Sequence, residues 1–421
     1  MSYSKTALDQ LESGKLKDFE ASFKKALKND SPDMLNSLAE ELYSLGFSQY
    51  SKTIYQKLLK EFPKEDSLKV NLAEIAIDDD KDDQALNLLS QVKPGTEEYI
   101  RSLMVAADLY QTQEMFEISE QKLLEAKRLD PDEDAINFAL AEFYFSTRNY
   151  RKSVNLYLDL IKKGQLEISS VNLVERLGVS YAEIGKFEQA VGYLEQIKTA
   201  NMNSDVKFEL AFTYYNLKDY QKAIKSFEDL RDSDPQYSSL YPYLADSYLN
   251  LNRTDDALRA IQESLGVDQY NEKLWLKAAQ IAIRADKADL VQKYLQKGLE
   301  IAPEDLAIRT TLSDWYVKHE KYSDNIKLLK PLQEDNEFDA HLAYNLAVSY
   351  HQIGNIKSAD RYFQIAAPEL SDQSEFLKDA ALFYREIGKF DQELSYLQKY
   401  LKIVPDDVEM AEMYDEDSQT N

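Results

Sequence analysis

The chain has 421 residues, and its 75 acidic and 50 basic side chains give a formal net charge of −25 at pH 7. This charge repels phosphate backbones and anionic membrane surfaces, which argues against nucleic acid as a partner and leaves basic proteins possible. There is no Cys, which excludes disulfides, thiol nucleophiles and Cys-based zinc sites. The N-terminus lacks a signal-peptide pattern and no stretch is apolar over a bilayer's width, so we predict a cytoplasmic protein without membrane insertion.

A pattern of two short amphipathic helices recurs along the chain. In its clearest copy, residues 204–235, a small anchor residue, Ala211, is followed by Tyr214, Ala223, Phe227 and Pro235 at helical spacing. The other ten copies have their anchors at Ala39, Ala73, Ala107, Ala141, Gly178, Ala245, Ala279, Ser313, Ala347 and Ala381. Successive anchors lie 34 residues apart, except for one spacing of 37 and one of 33. A period this regular indicates a solenoid of stacked helical pairs.

The residues at fixed offsets from the anchor resemble the tetratricopeptide-repeat family from about Leu38 to Pro405. The anchor is always small, position +16 is always large and apolar, and eight of eleven units have Tyr at +3. The resemblance implies an all-α, right-handed solenoid superhelix of about eleven helix-turn-helix units, with the first helix of each pair on the inner wall. The segments LAEELYSLGF and LAEIAIDDD are similar to YpiA-type cytosolic repeat proteins of low-GC Gram-positive bacteria.

The repeats divide the chain into four predicted segments. Residues 1–31 match the pattern poorly and are expected to form a degenerate N-terminal capping pair. Residues 32–164 hold units one to four, residues 165–405 hold units five to eleven, and residues 406–421 form an acidic tail. Three extra residues follow the fourth unit, which predicts a change of path near Gly164. The tail is expected to begin as a short capping helix and to end in disorder.

The unit anchored at Ser313 departs most from the pattern. Asn325 replaces the usual small residue at +12, and Pro331 falls inside the second helix. Proline lacks an N–H donor and clashes with the preceding turn, so this helix is expected to end early or kink.

Motifs for catalysis are not found in the sequence. The three His residues lack the spacing of metal ligands, and no glycine motif for phosphate binding occurs. The run DDDKDD at residues 78–83 lacks the Gly and Glu of a calcium loop, so it is interpreted as the turn between two helices. We therefore predict no enzyme activity, no metal and no cofactor.

The inner wall is the candidate binding site, because the family resemblance implies ligands along it. Directly after the anchor, acidic residues recur in the first four units, and large apolar residues occur at neighbouring inner-wall offsets. Three aromatic residues of one later helix follow at i, i+4 and i+7 and so share a face. The predicted groove residues are Glu40, Glu74, Met104, Asp108, Phe138, Glu142, Phe145, Phe208, Phe212 and Tyr215. The alternative is that these residues only pack neighbouring repeats together.

The resulting functional prediction is a non-enzymatic scaffold that binds a basic and apolar protein or peptide segment in this groove. A clamp for the C-termini of chaperones is not supported, because Leu382 stands where the family pattern needs Asn beside Lys378. The alternative is a peptide-sensing regulator of Gram-positive type, although the repeats begin too early for the effector module that such regulators carry. The sequence makes no prediction about oligomeric state.

Overall fold

The computed structural model describes residues 2–335 and 339–418. These residues form 25 α-helices, one short 3-10 helix (Thr199–Asn201) and two strands of two residues each. The chain divides into two compact units, Met1–Leu217 and Lys218–Asn421. The all-α solenoid architecture predicted from the repeat pattern is confirmed.

The first unit contains thirteen helices and a small β-ribbon. The helices are α1 (Tyr3–Glu12), α2 (Leu16–Asn29), α3 (Pro32–Ser44), α4 (Ser48–Glu61), α5 (Asp66–Asp78), α6 (Asp82–Ser90), α7 (Glu97–Thr112), α8 (Phe116–Leu129), α9 (Asp134–Ser146), α10 (Tyr150–Lys162), α11 (Leu173–Glu183), α12 (Phe187–Leu194) and α13 (Ser204–Asn216). Consecutive helices pack as pairs, and first helices such as α5 and α7 also contact each other. This is how a solenoid buries apolar faces that no single pair could cover.

The second unit contains the remaining twelve helices. They are α14 (Tyr220–Ser233), α15 (Leu240–Asn250), α16 (Thr254–Val267), α17 (Glu272–Arg284), α18 (Ala288–Ile301), α19 (Leu306–Lys318), α20 (Tyr322–Asp335), α21 (Ala340–Gln352), α22 (Ile356–Ala366), α23 (Ser374–Glu386), α24 (Phe390–Ile403) and α25 (Val408–Ser418). The strongest pairings join helices that are consecutive in sequence, such as α17 with α18 and α23 with α24.

The anchor residues lie where two helices approach most closely. All eleven are buried, as are all eleven large residues at +16. At Gly178 an added Cβ would lie 2.7 Å from Cδ2 of Leu194, the +16 residue of the same unit. Since packed interiors have no spare volume for such a group, a small anchor is a steric requirement of the pair.

The turn between the two helices of each pair contains one left-handed residue, seven positions after the anchor. Gly46, Gly185, Gly354 and Gly388 occupy this position in four units. The other seven units have a non-glycine residue there, with φ between 52° and 61°: Asp80, Glu114, Arg148, Lys218, Asn252, Asp286 and Glu320. Asp80 belongs to the DDDKDD run, which forms the turn between α5 and α6, as the sequence indicated.

Several of the tyrosines at +3 join consecutive repeats through their hydroxyl groups. Tyr144 donates to Glu120 (2.7 Å), and Tyr384 donates to Asp360 (2.9 Å). In both cases the acceptor carboxylate lies on the second helix of the preceding pair. A buried aromatic ring with a bonded hydroxyl is the favourable arrangement for this residue type.

The lengthened joint after the fourth unit folds as a β-ribbon. Strand β1 (Glu167–Ile168) pairs antiparallel with β2 (Val171–Asn172), and Ser169 and Ser170 between them have positive φ. The side chain of Asn172 then caps α11 by accepting from the amide of Val174 (3.0 Å). A domain boundary near Gly164 stays a prediction.

Of the two effects expected of Pro331, an early end of α20 is wrong, and a kink stays a prediction. The helix continues through Pro331 to Asp335. Pro331 and Lys327 are both exposed, so the carbonyl group that loses its helical partner can bond to water. Asn325, the other anomaly of this unit, is buried and donates to Oγ of Ser349 (2.9 Å) on α21.

The acidic C-terminal segment begins with a helix, which agrees with the capping helix expected from the sequence. Its helix α25 runs to Ser418 and buries Met410 against the last pair. The predicted disorder concerns the end of the chain, where residues 419–421 lie outside the described residues. Within the described residues, no helix has the length and apolar character needed to cross a membrane.

Replacing Ala245 by Trp tests the tight contact at an anchor. Ala245 is fully buried on α15, so an indole there should overpack the pair and cost about 1–3 kcal/mol or more of stability. Thermal denaturation followed by circular dichroism measures the loss. Ala288→Trp, at an exposed position on α18, is the matched control and should change the melting midpoint little. Equal midpoints for the two variants would contradict the steric role of the anchor.

Candidate partner-binding groove

Within the compact unit Met1–Leu217, the first helices of successive pairs together form one face, the first-helix face. This face contains an open pocket of about 560 Å³. Its walls come from α5, from α7, from the start of α9 and the segment before it, and from Tyr43 on α3. Three of the predicted groove residues line it, namely Glu74, Met104 and Asp108. These three residues stand at offsets that the family resemblance assigned to the inner wall. They belong to consecutive repeats, and the fold brings them to one concave site.

Two of the four predicted acidic residues are already paired within the chain. Glu74 accepts two hydrogen bonds from Nη2 of Arg101, at 2.9 and 2.8 Å. Glu142 accepts from Nε and Nη2 of Arg176, both at 3.2 Å, and also from the hydroxyl of Tyr157. Each arginine lies on the next first helix, so these carboxylates hold neighbouring repeats together and offer less charge to a ligand.

The other two acidic residues are more accessible. Glu40 is exposed and accepts a hydrogen bond from Nδ2 of Asn36 (2.7 Å). Asp108 is exposed, and its carboxylate has no hydrogen bond or ion pair with any residue in the described ranges 2–335 and 339–418. Of the four, Asp108 is the best placed to meet a charge from outside.

Phe138 and Phe145 contribute mainly to packing. Both are half-buried against the core of the fourth and fifth units. The guanidinium carbon of Arg176 lies 4.4 Å from the Phe145 ring centroid, and the Tyr150 ring meets Phe145 edge-on at 5.5 Å. A cation over an aromatic face is a favourable contact, and here it covers a surface that a ligand would otherwise use.

The aromatic residues of α13 form an ordered row. Phe208 stacks on Phe212 with centroids 5.8 Å apart, and Phe212 stacks on Tyr215 at 6.4 Å. Phe187, at the start of α12, meets Phe212 edge-on at 6.2 Å. All three predicted residues are half-buried, so each buries part of its ring against the protein and leaves part accessible.

An ionisable group beside this row escaped the sequence analysis. Glu209 on α13 is half-buried, and its pKa is raised to about 7 by burial and by the nearby carboxylates of Glu183 and Asp205. Its offset, two residues before the anchor, is not an inner-wall position, so the repeat pattern gave no signal for it. A carboxyl group with this pKa is only partly ionised at neutral pH.

The pocket also contains residues that the sequence analysis did not select. Arg101, Ile100, Asp130, Glu133 and Ile136 all line it. Arg101 lies six residues before its anchor, which is an inner-wall offset. The repeat pattern could therefore have identified it as a groove residue. The others lie on the approach to α9 or on the flank of α7 and needed the tertiary structure. Among the described residues no group of three or more His, Asp or Glu side chains is arranged to hold a metal ion.

Comparison with known proteins identifies the repeats. Models of YpiA-like tetratricopeptide repeats match residues 111–165 and, for the C-terminal repeats, residues 341–407. A general tetratricopeptide-repeat model matches residues 175–201 and 205–237. A crystal structure of the APC/C hetero-tetramer Cut9-Hcn1 aligns over 98% of this chain and 95% of that chain, with 13% identity and a TM-score of 0.38.

Two curated relatives match this chain over different shares of its length. The DnaJ homolog subfamily C member 7 homolog of Dictyostelium discoideum is 23% identical over 190 residues, 44% of this chain and 34% of that protein. The TPR repeat-containing protein YpiA of Bacillus subtilis (strain 168) is 33% identical over 365 residues, which cover 87% of this chain and 86% of that protein. Identity of this extent shows that the chain belongs to the YpiA family of tetratricopeptide-repeat proteins.

Proposed function

We propose that this protein is a non-enzymatic interaction scaffold, which binds a segment of a partner protein along the first-helix face of its repeats. The observation that carries the proposal is the 560 Å³ pocket between α5, α7 and α9. Its volume lies within the range of roughly 300–1,000 Å³ that is usual for ligand sites. Tetratricopeptide-repeat proteins bind proteins or peptides, and the pocket lies on the helices that the family resemblance assigns to binding.

The partner segment is proposed to be basic and apolar. The chain carries a net charge of −25, and Asp108, whose carboxylate has no partner among the described residues, lines the pocket together with the half-buried Met104. Charge complementarity of this kind selects partners and speeds their association. We propose no cofactor, no nucleic acid and a cytoplasmic location. No observation on the described residues favours the alternative of a peptide-sensing regulator.

Panning of a phage-displayed library of random 12-residue peptides on the full chain tests this function. We expect selected peptides rich in Lys or Arg and in apolar residues, with binding that weakens as salt rises, because partly exposed charges are screened. Fluorescence anisotropy with a labelled selected peptide measures the affinity. Failure to select any peptide, or affinities indifferent to salt, would count against the proposal.

The aromatic row on α13 is proposed as a second contact region for the partner. Aromatic anchors often dominate interface energy, and truncating one costs ~2 kcal/mol or more. The triple change Phe208→Ala, Phe212→Ala and Tyr215→Ala should therefore abolish binding of the selected peptide while the helical circular dichroism is retained. Phe116→Ala, at an exposed position on α8, is the control and should bind normally. Unfolding of the triple variant would instead support a packing role for the row.

A further inference from the structure

The pocket of the first unit combines an apolar floor with an acidic rim. Its floor consists of Ile77 on α5, Ile100, Met104 and Val105 on α7, and Ile136 on α9. Ile136 is buried and the other four are half-buried, so the pocket presents accessible apolar surface to whatever enters it. Contact with this surface favours a ligand that has an aliphatic part.

Six carboxylates and one guanidinium, that of Arg101, line the pocket around this floor. Three of the six have partners within the chain, since Glu74 pairs with Arg101, Asp78 accepts from the Tyr43 hydroxyl (2.7 Å), and Glu133 accepts from the Ala135 amide (3.3 Å). The other three are Glu97, Asp108 and Asp130, and they make no side-chain hydrogen bond or ion pair with other described residues. The rim therefore has more negative charge than the single arginine beside it neutralises.

The floor and rim together restrict what the pocket can take. An anion would be repelled, and a purely apolar group would take the rim carboxylates out of water without compensation. A bare metal ion needs converging ligands, and no group of three or more His, Asp or Glu side chains in the described ranges is so arranged. A long side chain with an aliphatic stem and a cationic head matches both parts of the pocket.

We propose that this pocket is a subsite for one arginine or lysine side chain of a partner protein, with its stem against Met104 and its charged group near Asp108. This inference rests on the proposed scaffold function and specifies the residue that the groove recognises. Glu97 and Asp130 line the same pocket as Asp108. A guanidinium has five donors and an ammonium has three, so either can engage more than one of these carboxylates.

Two short peptides test the subsite directly. The probes are acetyl-Leu-Arg-Leu-amide and acetyl-Leu-citrulline-Leu-amide, which have nearly the same shape and differ in charge. The full chain is labelled with ¹³C in the methyl groups of its seven methionines, and the Met104 resonance is assigned from its loss in Met104→Leu. We expect the arginine peptide to shift the Met104 resonance saturably and the citrulline peptide to bind at least tenfold more weakly. The buried Met202 and Met410 should not respond.

A pair of matched variants tests the charge at the rim. Asp108→Asn should weaken binding of the arginine peptide roughly tenfold, as expected when a charge-assisted hydrogen bond is lost. Asp159→Asn makes the same change at an exposed position on α10 and should have no effect. Asn at position 108, near the C-terminus of α7, does not conflict with the helix dipole, so the variant is expected to fold.

The outcomes separate the subsite from the broader function. Equal responses to the arginine and citrulline peptides, or an unchanged affinity in Asp108→Asn, would overturn the subsite. If library peptides bind but neither short peptide moves the Met104 resonance, the scaffold function stands and the subsite is wrong. If the arginine peptide binds as expected but panning selects nothing, the subsite stands and binding of an extended segment is wrong.

Discussion

Phe363→Ala is expected to lower the stability of the last repeats by about 3–5 kcal/mol. Phe363 lies on α22 with 1% of its surface exposed. Its ring stacks on Phe383 with centroids 4.8 Å apart, and it also contacts the rings of Phe376 and Tyr344. Removing the ring leaves a cavity among aromatic side chains that are held by helices on several sides, so the site cannot collapse fully.

The effect should be local, because each repeat of a solenoid contacts only its neighbours. Hydrogen exchange of the full chain should therefore accelerate for amides of α21 to α24 while those of α1 to α6 keep their protection. Phe390→Ala removes the same ring at a position that is 42% exposed, and it should cost much less. If both variants lose the same protection, the core of these repeats does not depend on Phe363.

The docking of α25 is expected to weaken as pH rises from about 4.5 to about 7. Glu393 on α24 is fully buried, and neither of its carboxyl oxygens accepts a hydrogen bond from a residue that the structure describes. Burial and the carboxylate of Asp417 on α25 raise its pKa to about 7, and Arg385 opposes this increase from 3.7 Å. Arg385 also faces Asp417 at 3.4 Å and Glu416 at 3.8 Å. A proton on Glu393 supplies the donor that the carboxyl pair lacks.

The direction follows from proton linkage. Because the pKa is higher in the folded state than the usual 4.5, the stabilising contribution is complete below about pH 4.5 and is lost as pH rises through about 7. The methyl resonance of Met410, which is buried on α25, reports the docked state, and its change across the window from about pH 4.5 to about 7 measures the release.

Two substitutions isolate the group responsible. Glu393→Gln keeps the shape and removes the titration, so the Met410 resonance should no longer depend on pH. Glu409→Gln removes a carboxylate from an exposed position of the same helix as Met410 and should leave the pH dependence intact. A resonance that stays constant in the unchanged protein, or one that still titrates in Glu393→Gln, would contradict the assignment to Glu393.

The repeat architecture could be predicted from the amino-acid sequence because its causes are local and periodic. A small residue recurs every 34 positions, with one lengthened and one shortened spacing, and a large apolar residue follows it at +16. Each unit repeats the same steric requirement, so eleven weak signals reinforce one another. The family resemblance implied which offsets face the inner wall, and the period carried these offsets from unit to unit, to Met104 and Asp108 among others.

The chemistry of the groove depended on distances between residues remote in sequence. In the repeat pattern Glu74, Glu142 and Asp108 are equivalent, because each directly follows its anchor. In the structure Glu74 pairs with Arg101 and Glu142 pairs with Arg176, whereas Asp108 is unpaired within the described residues. The pattern predicts which face a side chain occupies, but pairing requires that two side chains of different helices come within about 3 Å. Similarly, only the folded chain brings Asp417 to Glu393. The sequence by itself therefore determines the helix periodicity, whereas the packing of the helices decides which charges pair and which side chains are buried.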